Sequence, residues 1–170
     1  MRELGIIEEM IRPLEAPVKK FEQKIRTTPL RTLVSVLLSS RTKDAVTLDA
    51  STRLFAGIQN HHDLAGLSVE EIERRIFPVG FYHQKARQIK RLAEALVSGI
   101  PLIPDREILM SLPGVGRKTA NLVMSLAFSQ PAVAVDIHVF RITRRLGWCR
   151  SKTPEKVEQE LMHLFDQCHW

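Results

Sequence analysis

The sequence predicts an all-α fold, on three observations. Apolar residues recur at i, i+3, i+4 and i+7 in separate stretches, around residues 30–38, 86–97, 120–127 and 157–165. Helix-start signals open several segments: Pro29, Ser68-Val69-Glu70-Glu71, Asp105 and Thr153-Pro154. No stretch reads as a convincing strand, and about nine helices result. The 170 residues allow one unit or two small lobes around a real core. With 44% hydrophobic and 26% charged residues, the composition is that of a soluble globular protein. There is no repeat, no low-complexity segment, no apolar core of signal-peptide length and no stretch that spans a bilayer. Two cysteines, Cys149 and Cys168, make neither a disulfide framework nor a metal quartet, and they suit a reducing compartment.

In chain order, residues 3–11 read as a short amphipathic helix stopped by Pro13. Pro13 and Pro17 punctuate a basic connector with Lys19, Lys20, Lys24 and Arg26. Pro29 opens a stronger helix, with Leu30, Leu33, Val34, Leu37 and Leu38 on one face. A polar break, Ser39 to Asp44, follows, and Asp44 is placed to cap a helix over 45–56. Ser68 with Glu71 predicts a capping box. That helix ends at Phe77-Pro78-Val79-Gly80-Phe81-Tyr82, where Gly80 allows a sharp turn. Phe81 beyond it suits either the core or a loop tip. Residues 83–97 form the next helix, with Ala86, Ile89, Leu92, Ala93, Leu96 and Val97 buried. Lys85, Arg87, Lys90 and Arg91 lie off that stripe, and Lys85, closest to the Phe81 turn, is the best phosphate ligand of the four. Asp105 caps a short helix. After Ser129-Gln130-Pro131, Asp136 starts another, with Val139, Ile142 and Leu146 inward. Pro154 starts the last, with Val157, Leu161, Leu164 and Phe165 on its apolar face.

The chain is organised around Leu112-Pro113-Gly114-Val115-Gly116-Arg117-Lys118-Thr119-Ala120. Pro113 and Gly114 signal a tight turn, and Gly116 supplies a second position free to take φ > 0. Lys118 then falls in a first helical turn, where the macrodipole is positive and discourages the lysine from holding its proton. That is the condition for a nucleophilic lysine, although an idle, solvated lysine fits the same placement. The N–H groups of the turn point outward at a helix start and suit a phosphate.

Charge gathers at the same place. Residues 108–154 hold Arg117, Lys118, Arg141, Arg144, Arg145, Arg150 and Lys152 against a single carboxylate, Asp136. The whole chain has a net charge of +6, so the remainder balances. A clustered positive field fits a polyanionic partner. Asp136 reads either as a helix cap or as the acid of a site. His138 receives no catalytic step.

LPGVGRKTAN followed by AVDIHVFRITRRLGW resembles the helix–hairpin–helix (HhH-GPD) DNA glycosylase superfamily, specifically its endonuclease III branch. The likeness runs from about Thr28 to Trp170. It implies two helical lobes with a cleft between them. One is a helical barrel over about 22–131 carrying the hairpin at 112–118, and the other joins residues 1–21 to 132–170. It also implies a bifunctional glycosylase and AP lyase of base excision repair, acting on oxidised pyrimidines and abasic sites in duplex DNA. Lys118 would attack the sugar and Asp136 assist. DNA-binding positions would be Arg41, Phe81, Lys85, Gly114, Val115, Gly116, Arg117, Thr119 and Arg141. Arg41 stands where several relatives have glutamine, in a loop that fills the gap left by the extruded nucleotide, and Phe81 stands at the family's apolar wedge. Relatives of this branch continue into a further helical stretch and a four-cysteine loop holding a 4Fe–4S cluster. Cys149 and Cys168 do not match those ligands, so no cofactor is expected in this chain, which reads as a truncated product or a cluster-free variant. The expected partner is damaged double-stranded DNA, bound by a monomer, in the cytoplasm at the nucleoid. A non-catalytic DNA-binding module would keep the hairpin and the basic helices without needing Lys118 or Asp136.

Overall fold

Helix α1 (Pro29–Ser39) is the axis of the molecule. The computed structural model describes Gly5, Glu9, residues 28–167 and Trp170. The sequence-predicted helix over 3–11 lies outside the described residues except at Gly5 and Glu9, both helical, as do the basic connector before Thr28 and Cys168 and His169. Thr28 caps α1 by accepting from the Arg31 N–H at 3.2 Å, and Pro29 takes the first position, where its missing N–H costs nothing. The predicted face of Leu30, Leu33, Val34, Leu37 and Leu38 is buried, and so are Thr32, Ser35 and Val36. α1 is therefore enclosed on nearly all sides. The Ser35 and Ser51 hydroxyls pair at 2.7 Å, which satisfies both where water is excluded.

Around α1 stand α2 (Asp44–Leu54), α3 (His61–Gly66), α4 (Val69–Ile76), α5 (Tyr82–Val97), α6 (Arg106–Ser111) and α7 (Arg117–Phe128). α1 packs on α2, α5 and α7. α5 packs on α3 and α4, and α6 on α7. Asp44 is the first residue of α2 rather than its cap, since Lys43 precedes it in extended geometry with no side-chain cap bond. Ser68 caps α4 by accepting from the Glu71 N–H at 3.1 Å. α3, not predicted from periodicity, is fixed by a capping box between Asn60 and Asp63. Asp105 caps α6. Two arginines close the ends of α2 and α4: Arg75 donates to Leu54 O and Ala56 O, and Arg53 to Arg75 O and Phe77 O.

α8 (Ile137–Arg145) and α9 (Pro154–Leu164) complete the chain. Residues 28–167 contain nine α-helices, and no described residue lies in a strand. Two apolar clusters hold them. The larger runs from Leu30 to Val123. The smaller joins Val135, Cys149, Val157 and Leu161, with Val139, Phe140, Trp148 and Phe165 against it. Each fully buried Leu or Val contributes roughly 1.5–3 kcal/mol relative to exposure. α8 turns in only part of the predicted face. Val139, Phe140 and Thr143 meet the small cluster, whereas Ile142 and Leu146 are exposed, as is Leu164 of α9. Val97 at the end of α5 is also exposed.

Candidate active site

The hairpin joins α6 to α7 through five residues. Leu112 and Val115 are buried in the larger cluster, and the Val115 N–H donates to Leu112 O at 3.1 Å. Val115 thus anchors the turn from below, and its N–H is already used. Gly114 takes φ +82°, and the Gln88 side chain lies directly on it. Gly116 does not use the freedom to take φ > 0. It is extended, at φ −89° and ψ 173°, and serves as the N-cap of α7 without a side chain. A Gly116 side chain would meet nothing, so its lack leaves the start of α7 open. Gly114→Ala is expected to cost about 1–2 kcal/mol for the left-handed backbone alone. A lower urea midpoint at unchanged slope would show it.

Lys118 is the second residue of α7 and its side chain is half exposed. Asp136 is the N-cap of α8. Its Oδ1 accepts from the N–H groups of His138 and Val139, both at 2.9 Å. Its Oδ2 lies 3.6 Å from Lys118 Nζ. The two sequence readings of Asp136 are therefore compatible: one oxygen caps the helix while the other faces the lysine. Burial pushes the Asp136 carboxyl up, but the Val139 N–H, the Lys118 charge, and the His138 N–H and charge outweigh it, and the group is held below the usual aspartate range. The Asn121 Nδ2 of α7 donates to Val133 O at 2.8 Å, pinning the strap that leads to Asp136.

A cavity of about 370 Å³ opens between the loop after α1, the start of α5 and the hairpin, and reaches Thr119, next to Lys118 in the chain. Arg41, Phe81, Gln84, Gln88, Gly114 and Thr119 line it. Arg41 and Phe81 both hold left-handed backbones, at φ 53° and 60°. The Arg41 guanidinium carbon sits 5.5 Å from the Phe81 ring centroid, and Phe81 is 58% exposed. Arg141 is exposed at a second cavity, with Arg144, Arg145 and Arg150.

Two predicted phosphate ligands are occupied elsewhere. Lys85 is buried, and its ammonium donates to Leu38 O at 2.8 Å, Ser40 O at 2.6 Å and Thr42 Oγ1 at 3.3 Å. Burial pushes its pKa down to about 8. Lys85 also lines the first cavity, but its three N–H groups are spent on internal acceptors. Arg117 donates from Nε and Nη2 to Glu158 Oε2 and Oε1, at 2.7 and 3.0 Å. Sequence reading placed Lys85 by its closeness to the Phe81 turn and Arg117 by its place in the hairpin, and passed over Glu158, Gln84 and Gln88. The signal for Glu158 was an acid between Val157 and Leu161 on the apolar side of α9. For the glutamines it was i, i+4 spacing just after Phe81.

Among the described residues no group of three or more His, Cys, Asp or Glu side chains is placed to hold a metal. Cys149 is buried, and burial pushes its thiol up, away from the thiolate a cluster requires. A four-cysteine iron–sulfur site does not fit the residues of this chain. No described helix is long and apolar enough to cross a membrane.

An all-α fold with a glycine hairpin, a lysine at a helix start and a facing aspartate defines a lysine-bearing helix–hairpin–helix protein. Residues 34–167 match the HhH-GPD superfamily base excision DNA repair protein family, and the chain belongs to that superfamily, in its endonuclease III branch. It is 42% identical to endonuclease III of Thermotoga maritima over 168 residues, covering 97% of this chain and 78% of the relative. Endonuclease III of Bacillus subtilis is 38% identical over 149 residues, covering 86% and 68%. Among solved structures, a non-covalent endonuclease III–DNA complex superposes with a TM-score of 0.84 at 36% identity, covering 98% of this chain and 77% of that one. A trapped endonuclease III–DNA covalent intermediate with an estranged adenine gives the same values.

Proposed function

We propose that the chain is a base-excision DNA glycosylase with AP lyase activity, working through a Schiff base on Lys118. The observation that carries this reading is the 3.6 Å approach of Lys118 Nζ to the free oxygen of Asp136, whose other oxygen is fixed by two backbone N–H groups. A base within a duplex hides its sugar C1′, so the nucleotide must first be flipped out. Asp136 takes one proton from the Lys118 ammonium, the freed amine attacks C1′, the glycosidic C–N bond breaks, and the base leaves with that proton. Asp136, again a carboxylate, faces the positive charge on the sugar and relays a second proton from Nζ to O4′. Ring opening then gives the protonated Schiff base, which acidifies C2′. Loss of that proton breaks the C3′–O bond and expels the 3′ phosphate, and water then releases the lysine. Preset charge at the sugar lowers the barrier because it needs no reorganisation.

Around this pair, the open start of α7 at Gly116 and Thr119, with Gly114, takes a backbone phosphate. Arg41 and Phe81 enter the base stack, and Arg141 meets a phosphate further along. Val115 and Arg117 support the hairpin from within. The partner is damaged duplex DNA, and oxidised pyrimidines and abasic sites are the substrate class. We take the lobes as 22–131 and 1–21 with 132–170, and the two apolar clusters support the boundary near 131. The protein acts as a monomer at the nucleoid, in a reducing cytoplasm.

Borohydride reduction on a duplex with one abasic site tests the reading. A covalent protein–DNA adduct, and DNA affinity that falls linearly with log salt, are expected. Salt-sensitive binding without an adduct would leave a non-catalytic binding module, and salt-tolerant or absent binding would reject DNA as the partner.

A further inference from the structure

Lys85 is used by none of the chemical steps, yet its surroundings join the two segments that reach into DNA. It lies in the first turn of α5, and its backbone N–H donates to Phe81 O at 3.0 Å. Its ammonium reaches the opposite segment, donating to Leu38 O and Ser40 O at the end of α1 and to Thr42 Oγ1. Three N–H groups meet three acceptors, two of them at the negative end of a helix. Thr42 completes the joint. Its hydroxyl donates to Ser40 O at 3.3 Å and accepts from the Gly80 N–H at 3.2 Å. Gly80 is pressed so close that a Cβ there would stand 2.7 Å from Arg41 O. Above this joint Arg41 and Phe81 hold left-handed backbones and stack on one another.

We propose that Lys85 is a positioning residue for base extrusion: from beneath, it locks the Arg41 loop to the Phe81 turn, so that both side chains enter the duplex as one preset wedge. Two left-handed non-glycine residues persist only where their surroundings over-determine them, and Lys85 with Gly80 and Thr42 supplies that constraint. A wedge already in shape spends none of its binding free energy on ordering itself, which leaves more to offset unstacking. The consequence at DNA rests on the base-excision reading above, but the joint itself can be read without DNA.

The test uses Lys85→Met, which keeps an apolar stem of similar length without the ammonium, and Gly80→Ala, which spreads the two backbones without touching a buried charge. In the free protein, amide hydrogen exchange is expected to speed up in both variants, together at 40–43 and 79–82. On DNA, excision of a damaged base from a stable pair is expected to fall on the order of thirtyfold, because extrusion is what suffers. Lyase turnover on an abasic site facing an unpaired gap should fall less than about threefold, because nothing there needs to be extruded. Unchanged exchange in either segment would overturn the proposal, and so would equal losses on the two substrates. If Lys85→Met does not fold, Gly80→Ala gives the same two readings. If the wild type acts on neither substrate, the base-excision reading fails, while the exchange result still decides whether Lys85 couples the segments.

Discussion

Lys118→Ala is expected to abolish the borohydride-trapped adduct while duplex affinity stays within about threefold, since one cation shifts the salt slope by no more than about one unit. The substitution removes the amine proposed to form the Schiff base and disturbs little else. Lys118 is half exposed, and Asp136 Oδ1 keeps its two N–H bonds without it. Asp136→Asn is the sharper companion. Asparagine caps a helix about as well as aspartate, so the bonds to His138 and Val139 survive while the charge facing Lys118 is lost. Rates should fall on the order of 10²–10⁴-fold with only a small drop in melting temperature at neutral pH. Asp136→Ala adds the loss of the cap, about 1 kcal/mol. A full-strength adduct from Lys118→Ala would point to another amine, and an unaltered rate for Asp136→Asn would make Asp136 a cap and nothing more. The acid limb of stability provides an independent check. Asp136 is held below the ordinary range, so its contribution is present above the unfolded value of about 3.9 and is lost as pH falls through the folded one. Asp136→Asn should flatten that limb.

What the sequence made legible here is what short-range physics decides. The helix start at Pro29, the caps at Ser68, Asp105 and Thr153 and the buried faces of α1 and α5 follow from periodicity and from the hydrogen bonds a helix start needs. The same local rules put Lys118 in a first turn and Asp136 at a helix start. The approach of those two side chains belongs to packing, and only the resemblance foretold it. Where a side chain's fate is set by a distant partner, local pattern misplaced it. Lys85 and Arg117 look like surface cations, but Leu38 and Glu158, far along the chain, claim them. α8 shows the same limit. Ile142 and Leu146 are as apolar as Val139, but the small cluster lies against the Val139 side, and no periodicity within a nine-residue helix states where its partner is. Gly116 shows another. A glycine chosen for its missing side chain, rather than for a positive φ, reads the same in a sequence.

Glu158→Ala is expected to destabilise the protein by about 3 kcal/mol and to slow catalysis as well. Glu158 lies on α9, packed in the smaller cluster, with its side chain 3% exposed. Its carboxylate takes two bonds from Arg117 and one from Arg106, at 3.1 Å, both anchored in the α6–α7 hairpin. Removing one member of a buried ionic group strands the others, which costs about 3–5 kcal/mol when all are buried. The arginines here are partly exposed, at 26% and 35%, so water recovers some of that. The placement makes the effect catalytic too. Lys118 follows Arg117 on α7, which packs in the larger cluster, and Asp136 leads into the smaller one. The Glu158 bridge ties these two bodies together within one residue of Lys118, so its loss should loosen the 3.6 Å approach of Lys118 to Asp136. Positioning errors of this size slow chemistry far more than they weaken binding. Turnover on an abasic duplex should therefore fall by about tenfold or more at temperatures where the variant is still folded, with DNA affinity little changed. Arg117→Lys separates the two contributions. It keeps a cation beside Glu158 but loses the forked pair, so it should show a smaller loss of stability together with a clear loss of rate. If both variants lose stability but keep full turnover while folded, the bridge holds the fold together without setting the geometry of the lysine.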